Sequence, residues 1–338
     1  MLLVGENVDL LLWTLALVGA ILSAHWGADQ LSVPLQKLRQ QWGLSEAAGA
    51  ALVALATASP EIGTNTASAL RGLSDIGLGN LLGSNIISVP AIVVVAYLAN
   101  RRRTADSPPG SPLPDRHLLR VKREALTVQA LPYLGVIGVA ALLTLPPAWQ
   151  GLQPIDGYIM VGIYGLYLAQ AILRKRQQRE PVDWSSREVW VAIAGVLALS
   201  FGAYLTVTAT ENIVSILGIS QLIGGLFITS TLSIAPEVFA TWSVARSGQV
   251  TAATASVIAD NTATMSLALV PLALVSTPID DMVLFLVNLG FVTLFAAAYG
   301  GLIHLGDDRG KYSFATWEVA SLVGLYGVYL VVMLGLII

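Results

Sequence analysis

The sequence predicts an all-α, polytopic membrane protein of about ten transmembrane helices arranged as two inverted five-helix repeats, and three observations carry that prediction. Hydrophobic residues make up 55% of the chain and charged residues 12%, with a mean hydropathy of +0.72. Several apolar runs reach the roughly 20 residues a helix needs to cross the hydrocarbon core. Of the 18 basic residues, all but Arg71 fall in loops that follow odd-numbered spans. Finally, a proline-glutamate pair embedded in apolar sequence occurs twice, as Pro60-Glu61 and Pro236-Glu237, 176 positions apart.

In chain order, residues 1–8 carry Glu6 and no basic residue, and the apolar run over 9–30 exceeds the core of a cleavable signal, so it is expected to be a retained first span. His25 and Asp29 beside Trp26 fit an interfacial pair near its end. Spans two and three, 45–70 and 75–98, form a hairpin closed by the short turn Arg71 to Asp75. From 100 to 123 the chain carries Arg101, Arg102 and Arg103, then Pro108, Pro109, Pro112 and Pro114, then Arg116, Arg120, Lys122 and Arg123. Proline at that density prevents a helix and marks a solvated loop. Spans four and five cover 125–145 and 155–173, and span six 188–210. Spans seven and eight, 219–245 and 250–275, make a second hairpin, and spans nine and ten cover 280–303 and 314–337.

The basic residues test this partition. Their one-sided placement is a positive-inside signal that puts those loops in the cytoplasm and both termini outside. Spans one to five and six to ten then begin on opposite faces, so residues 1–173 and 188–338 are inverted repeats joined by the short cytoplasmic linker 174–187. Many secondary transporters share that architecture, with the site at the bilayer midplane where the repeats meet. The absence of cysteine excludes disulfides and thiolate chemistry. No basic field suited to nucleic acid and no nucleotide-binding G-x-x-x-x-G-K-[ST] string is present, and no cofactor is expected. The expected partners are inorganic cations and the lipid bilayer, and the sequence leaves the oligomeric state and host membrane open.

A charge inside a membrane span is by default functional. The repeated segments match without a gap: Thr57 falls on Ser233, Glu61 on Glu237, Asn85 on Asn261 and Ser88 on Thr264. Proline lacks an amide hydrogen, so Pro60 is expected to free the carbonyl of Ala56 and Pro236 that of Leu232. Within a membrane such oxygens need another partner, and a cation suits them. Glu61, Glu237 and the hydroxyls of Thr57, Ser59, Ser230 and Ser233 add hard oxygen donors. An all-oxygen set suits calcium or sodium rather than zinc or copper. On the partner helices, Ser84 with Ser88 and Asp260 with Thr264 are spaced i, i+4 and share a face. Asn85 and Asn261 read equally as ligands or as interhelical hydrogen-bonding groups. Gly77, Gly79 and Gly83, and Ala252, Ala253, Ala255 and Ala259, allow close helix approach.

The two hairpins resemble the alpha repeats of the cation/calcium exchanger superfamily. Those repeats carry G-T-S-x-P-E followed on the next helix by G-S-N-I-x-N or G-S-N-I-x-D. The strings here are Ala56-Thr57-Ala58-Ser59-Pro60-Glu61 with Gly83-Ser84-Asn85-Ile86-Ile87-Ser88, and Leu232-Ser233-Ile234-Ala235-Pro236-Glu237 with Ala259-Asp260-Asn261-Thr262-Ala263-Thr264. The resemblance implies that Glu61 and Glu237 are the central calcium ligands and that Thr57 and Ser233 with Ser84 belong to sodium sites. It departs where the family serine is Ala58 and Ile234, where the final Asn or Asp is Ser88 and Thr264, and where Asp260 replaces serine. One of three expected carboxylates has thus moved by about 5 to 6 Å along its helix.

The resemblance implies a secondary antiporter, most plainly for sodium and calcium, working by alternating access around Glu61, Glu237 and Asp260. Clustered acids in low dielectric hold protons or cations rather than staying bare. The altered hydroxyls leave open coupling to protons or a cation other than calcium. An intramembrane enzyme of the aspartyl type would need two catalytic aspartates where the symmetric pair here is glutamate, and a channel would pass currents far above carrier turnover.

Overall fold

The computed structural model describes residues 2–42, 55–105, 118–121, 129–146, 150–174, 181–305 and 312–337. Helices dominate it. They are α1 (Leu2–Trp42), α2 (Ser59–Leu70), α3 (Ser74–Ala105), α4 (Leu131–Thr144), α5 (Pro154–Arg174), α6 (Ser186–Leu217), α7 (residues 221–233), α8 (Ala235–Arg246), α9 (Val250–Leu274), α10 (Met282–Leu305) and α11 (Thr316–Ile337). Two short strands, β1 (Leu118–Arg120) and β2 (Ser313–Ala315), pair antiparallel with Leu119 opposite Phe314. Among the described residues, seven helical segments are long and apolar enough to cross a membrane, including Ser74–Arg102, Gln221–Arg246 and Met282–His304. Leu131–Thr144 is shorter but equally apolar in character.

Several boundaries differ from the sequence reading. The first helix does not stop near residue 30 but runs on through Pro34 to Trp42. Its last turns carry Lys37, whose ammonium meets Glu188 Oε2 at 2.5 Å and the Asp183 carbonyl at 2.8 Å, so the helix is held beyond its apolar part. His25 Nδ1 pairs with the carbonyl of Ile21 at 3.0 Å, one turn back on its own helix. The loop expected over 100–123 is not irregular throughout: α3 continues to Ala105 and Leu118–Arg120 form β1. The prolines between them, and Arg309 with Lys311, lie outside the described residues. Within the apolar helices, the turn Gly224–Thr229 of α7 and the turn Thr264–Ala268 of α9 are wound wider than α-helix. Such π-type turns have no signature in hydropathy.

The chain divides into two compact units, and each draws on both sequence halves. The first comprises Met1–Gly83, Leu142–Ser233 and Ala263–Pro278. Here α1 lies along α6 through glycines: a Cβ on Gly27 would strike the Gly195 carbonyl, and one on Gly202 the Ala20 carbonyl. Leu17, Ile21, Ala209 and Ile213 fill the same seam. The hairpin turn after α2 sits on α6 through Leu73, Ile76 and Val207. Arg71, the lone basic residue of its side in the sequence partition, bonds Glu211 at 2.5 Å and Thr208 at 2.9 Å and lies over the Tyr204 ring. The start of α3 meets α7 so closely that Cβ atoms on Gly79 or Gly83 would enter the backbone of Leu222 or Leu226.

The second unit comprises Ser84–Ala141, Ile234–Thr262 and Ile279–Ile338. The β1–β2 ladder ties the segment after α3 to the start of α11, where Glu318 Oε2 accepts from the Ala315 amide at 2.5 Å. That bond satisfies an amide the helix itself leaves open. Tyr97 and Thr316 hydroxyls meet at 2.7 Å, Arg102 lies over the Trp242 ring, and Tyr329 donates to Asn288 at 2.8 Å. Each of these polar groups is matched within the unit, as a low-dielectric setting requires.

Candidate functional site

The two proline-glutamate segments fold alike. In each, a helical segment ends at a residue in right-handed helical conformation, Ala58 or Ile234, and a new helix of 12 residues begins with proline at its second position. Proline fits there because the first amides of a helix have no intrahelical acceptor. Glu61 and Glu237 therefore stand in the first turn of α2 and α8, where the helix dipole favours a carboxylate. The surroundings differ: Glu61 is 3% exposed, whereas Glu237 is half-buried.

The carbonyl freed by Pro60 finds its partner inside the protein. Ser59 Oγ donates to the Ala56 carbonyl at 2.5 Å, so a hydroxyl of the same segment occupies one lone pair of this oxygen. The hydroxyl three residues along, on a short side chain, reaches it. Ser230 likewise turns to the Leu226 carbonyl of its own helix. Thr57 is exposed and Ser59 partly buried. Ala58, at the family's serine position, is fully buried in an apolar cluster with Tyr164 and Ala263, joined by Leu55, Ile62 and Leu267. Ile234, its counterpart, is 5% exposed.

Within the first unit, Ser233 Oγ donates to Asn80 Oδ1 at 3.4 Å, and the hydroxyls of Thr210 and Thr229 meet at 2.7 Å. Asn65, one turn beyond Glu61 on the same face of α2, is fully buried and donates to the Ala268 carbonyl at 2.7 Å. Thr264 is buried in the wide turn of α9 that ends at Ala268. Asn65 and Asn80 were not among the sequence candidates. The i+4 spacing from Glu61 was the available signal for Asn65, and the offset of 176 places Thr241, also buried, opposite it.

Within the second unit, Asn261 Nδ2 donates to Ser88 Oγ at 2.8 Å, joining two sequence candidates from α3 and α9. Both are buried, as are Asn85 and Asp260, while Ser84 is half-buried. Asn85 Oδ1 accepts a hydrogen bond at 2.8 Å from the hydroxyl of Tyr133 on α4, a fully buried residue with no motif around it in the sequence. The asparagines thus make interhelical hydrogen bonds, the reading the sequence left level with ligation. Among the described residues, no three or more His, Cys, Asp or Glu side chains are gathered into one group. A cation here would draw on carboxylates supplemented by amide, hydroxyl and carbonyl oxygens, a donor set that suits hard ions.

Comparison with known proteins adds an independent line. The family described as sodium/calcium exchanger protein matches residues 12–173 and 187–335. CaxA of Alkalimonas amylolytica, which carries the name of an antiporter, is 26% identical over 239 residues, 66% of this chain and 68% of that protein. The sodium/calcium exchanger MaX1 of Methanosarcina acetivorans is 34% identical over 99 residues, 29% of this chain and 27% of MaX1. Among solved structures, the H+/Ca2+ exchanger CAX superposes with a TM-score of 0.69 at 16% identity, covering 96% of this chain and 82% of that one. The sodium-calcium exchanger NCX_Mj gives 0.60 at 19% identity, covering 95% and 99%. At those identities the likeness is one of fold.

Proposed function

The chain belongs to the sodium/calcium exchanger protein family, and from that premise we propose that it is a calcium antiporter in which Glu61, Glu237 and Asp260 ligate the transported cation. It is a multi-pass membrane transporter, not an enzyme. The observation that carries the proposal is the repeated local design: two 12-residue helices, each with proline at its second position and a glutamate in its first turn. Chance packing supplies no reason to keep a carboxylate at 3% exposure in an apolar helix bundle. A calcium ion does supply one, since it neutralises the charge and takes about six to eight oxygens.

Thr57, Ser59, Ser84, Asn85, Ser88, Ser233, Asn261 and Thr264 complete the proposed donor set around those carboxylates. Calcium loaded on one side and the counter-ion loaded on the other compete for the same acids, which yields exchange without their meeting. Sodium is the first candidate counter-ion, because the remaining donors are hydroxyl and amide oxygens. The buried cluster around Ala58 favours a second reading, coupling to protons. Where the family places a serine hydroxyl, this chain packs a methyl group against Tyr164 and Ala263, so that donor is missing from a sodium site. The orientation with basic loops in the cytoplasm and the five-plus-five inverted repeat belong to the same proposal.

The test is radioactive calcium uptake into proteoliposomes loaded with sodium, beside proton-gradient and gradient-free controls. Uptake that requires internal sodium supports sodium/calcium exchange, and uptake driven only by protons selects the second reading. Replacing both glutamates, Glu61→Gln with Glu237→Gln, is expected to lower the flux by at least about a hundredfold, equivalent to about 2.7 kcal/mol. Unchanged flux in that variant removes the ligand assignment.

A further inference from the structure

Resting on the exchanger reading, we infer that Tyr133 is a positioning residue for cation binding, acting through Asn85. Its hydroxyl donates to Asn85 Oδ1 at 2.8 Å, and both side chains are fully buried. One turn further on the same helix, Ser88 Oγ donates to the Asn85 backbone carbonyl at 3.4 Å. One phenol from α4 therefore holds Asn85, while Asn261, the asparagine at the equivalent position of the second repeat and next in sequence to Asp260, reaches the same stretch of α3 through Ser88. Asn261 in turn donates to Ser88 at 2.8 Å. These residues form one buried polar network in which every orientation depends on its neighbour.

The physical consequence follows from the chemistry of an amide. A primary amide has an acceptor end and a donor end that are nearly equal in size, and only the acceptor end can face a cation. The phenol gives its hydrogen to Asn85 Oδ1, which holds the amide with that oxygen toward α4; a flipped amide would turn its own N–H to the phenol oxygen and take this acceptor away from the phenol's hydrogen. A ring held without exposure on α4 cannot follow a flipped amide. A phenylalanine at 133 fills the same volume and removes that hydrogen bond. Binding then bears the cost of ordering an amide that the wild type holds ready, which lowers affinity without changing the helices that move.

The experiment uses the full-length protein in detergent and in proteoliposomes, with Ca2+ and Na+ as probes. Half-saturating concentrations are read from cation-induced shifts in melting temperature, which require no turnover, and from the KM and maximal rate of calcium uptake. Tyr133→Phe is expected to raise the half-saturating Ca2+ concentration about three- to tenfold, within the range of one net hydrogen bond. The maximal rate should stay within about twofold. In an Asn85→Ala background the same substitution should change affinity by less than about twofold, because the group it positions is gone. An equal loss in both backgrounds makes Tyr133 a packing residue and overturns the inference, as does an unchanged affinity in Tyr133→Phe. A wild type that neither cation stabilises overturns the exchanger reading and this inference with it. A variant that melts low without cation yet binds normally also counts against it.

Discussion

At the scale of single residues, burial separates two glutamates that the sequence presents as twins. Glu61 is 3% exposed and Glu237 half-buried, so the empty carboxylate costs more at the first position than at the second. Glu61→Gln should therefore raise the melting temperature of the protein in chelator-containing, sodium-free buffer, while Glu237→Gln should leave it within a degree or two. On a chain of this size, each kcal/mol moves the midpoint by about 2 °C or less. A scanning melt of both variants decides the matter, and equal shifts would contradict the asymmetry. That both acids are candidates for one site was legible from the repeated Pro-Glu pair in apolar sequence. The sequence could not foretell that Ser59 would answer the Ala56 carbonyl at 2.5 Å, because a rotamer choice decides it. Nor could it announce Tyr133, 48 positions from Asn85, since no local pattern links a tyrosine to an asparagine on another helix.

The helices themselves were mostly readable, because each is an apolar run bounded by charge, proline or glycine. Their close packing was legible only as a permission. Glycine at 79 and 83 allows approach, and the tertiary structure uses it, placing the α7 backbone where a Cβ would stand. Gly79→Ala would push that methyl into the Leu222 carbonyl, the Leu226 amide and the Gly225 Cα, all backbone atoms with no rotamer to yield. A loss of about 1 to 3 kcal/mol is expected, typical of overpacking, and thermal unfolding in detergent measures it. Gly19→Ala is the control, since a Cβ there meets nothing within 4 Å; if Gly79→Ala melts like Gly19→Ala, the tight contact is not a source of stability. The wide turns at Gly224–Thr229 and Thr264–Ala268 lay beyond sequence reading. They change which carbonyls face a neighbour while leaving hydropathy untouched.

At the scale of the whole molecule, the compact units cut across the halves that the sequence repeats. Residues 142–233 join Met1–Gly83, and Ile279–Ile338 joins Ser84–Ala141. A cation that binds only the folded protein should stabilise it as a whole, by about 2.7 kcal/mol at a hundred times its dissociation constant. Calcium addition should thus raise the melting temperature, chelation should reverse it, and Glu61→Gln with Glu237→Gln should abolish the response. The sequence by itself determined the membrane class, the apolar helices and the paired Pro-Glu segments. Each of these is written in composition, hydropathy and spacing, which are properties of contiguous chain. Only the tertiary structure decided which helices share a unit, that Ala58 is buried against Tyr164, and that one phenol on α4 holds Asn85. Those facts depend on packing between segments far apart in the chain, where shape and rotamer choose among partners that hydropathy cannot distinguish.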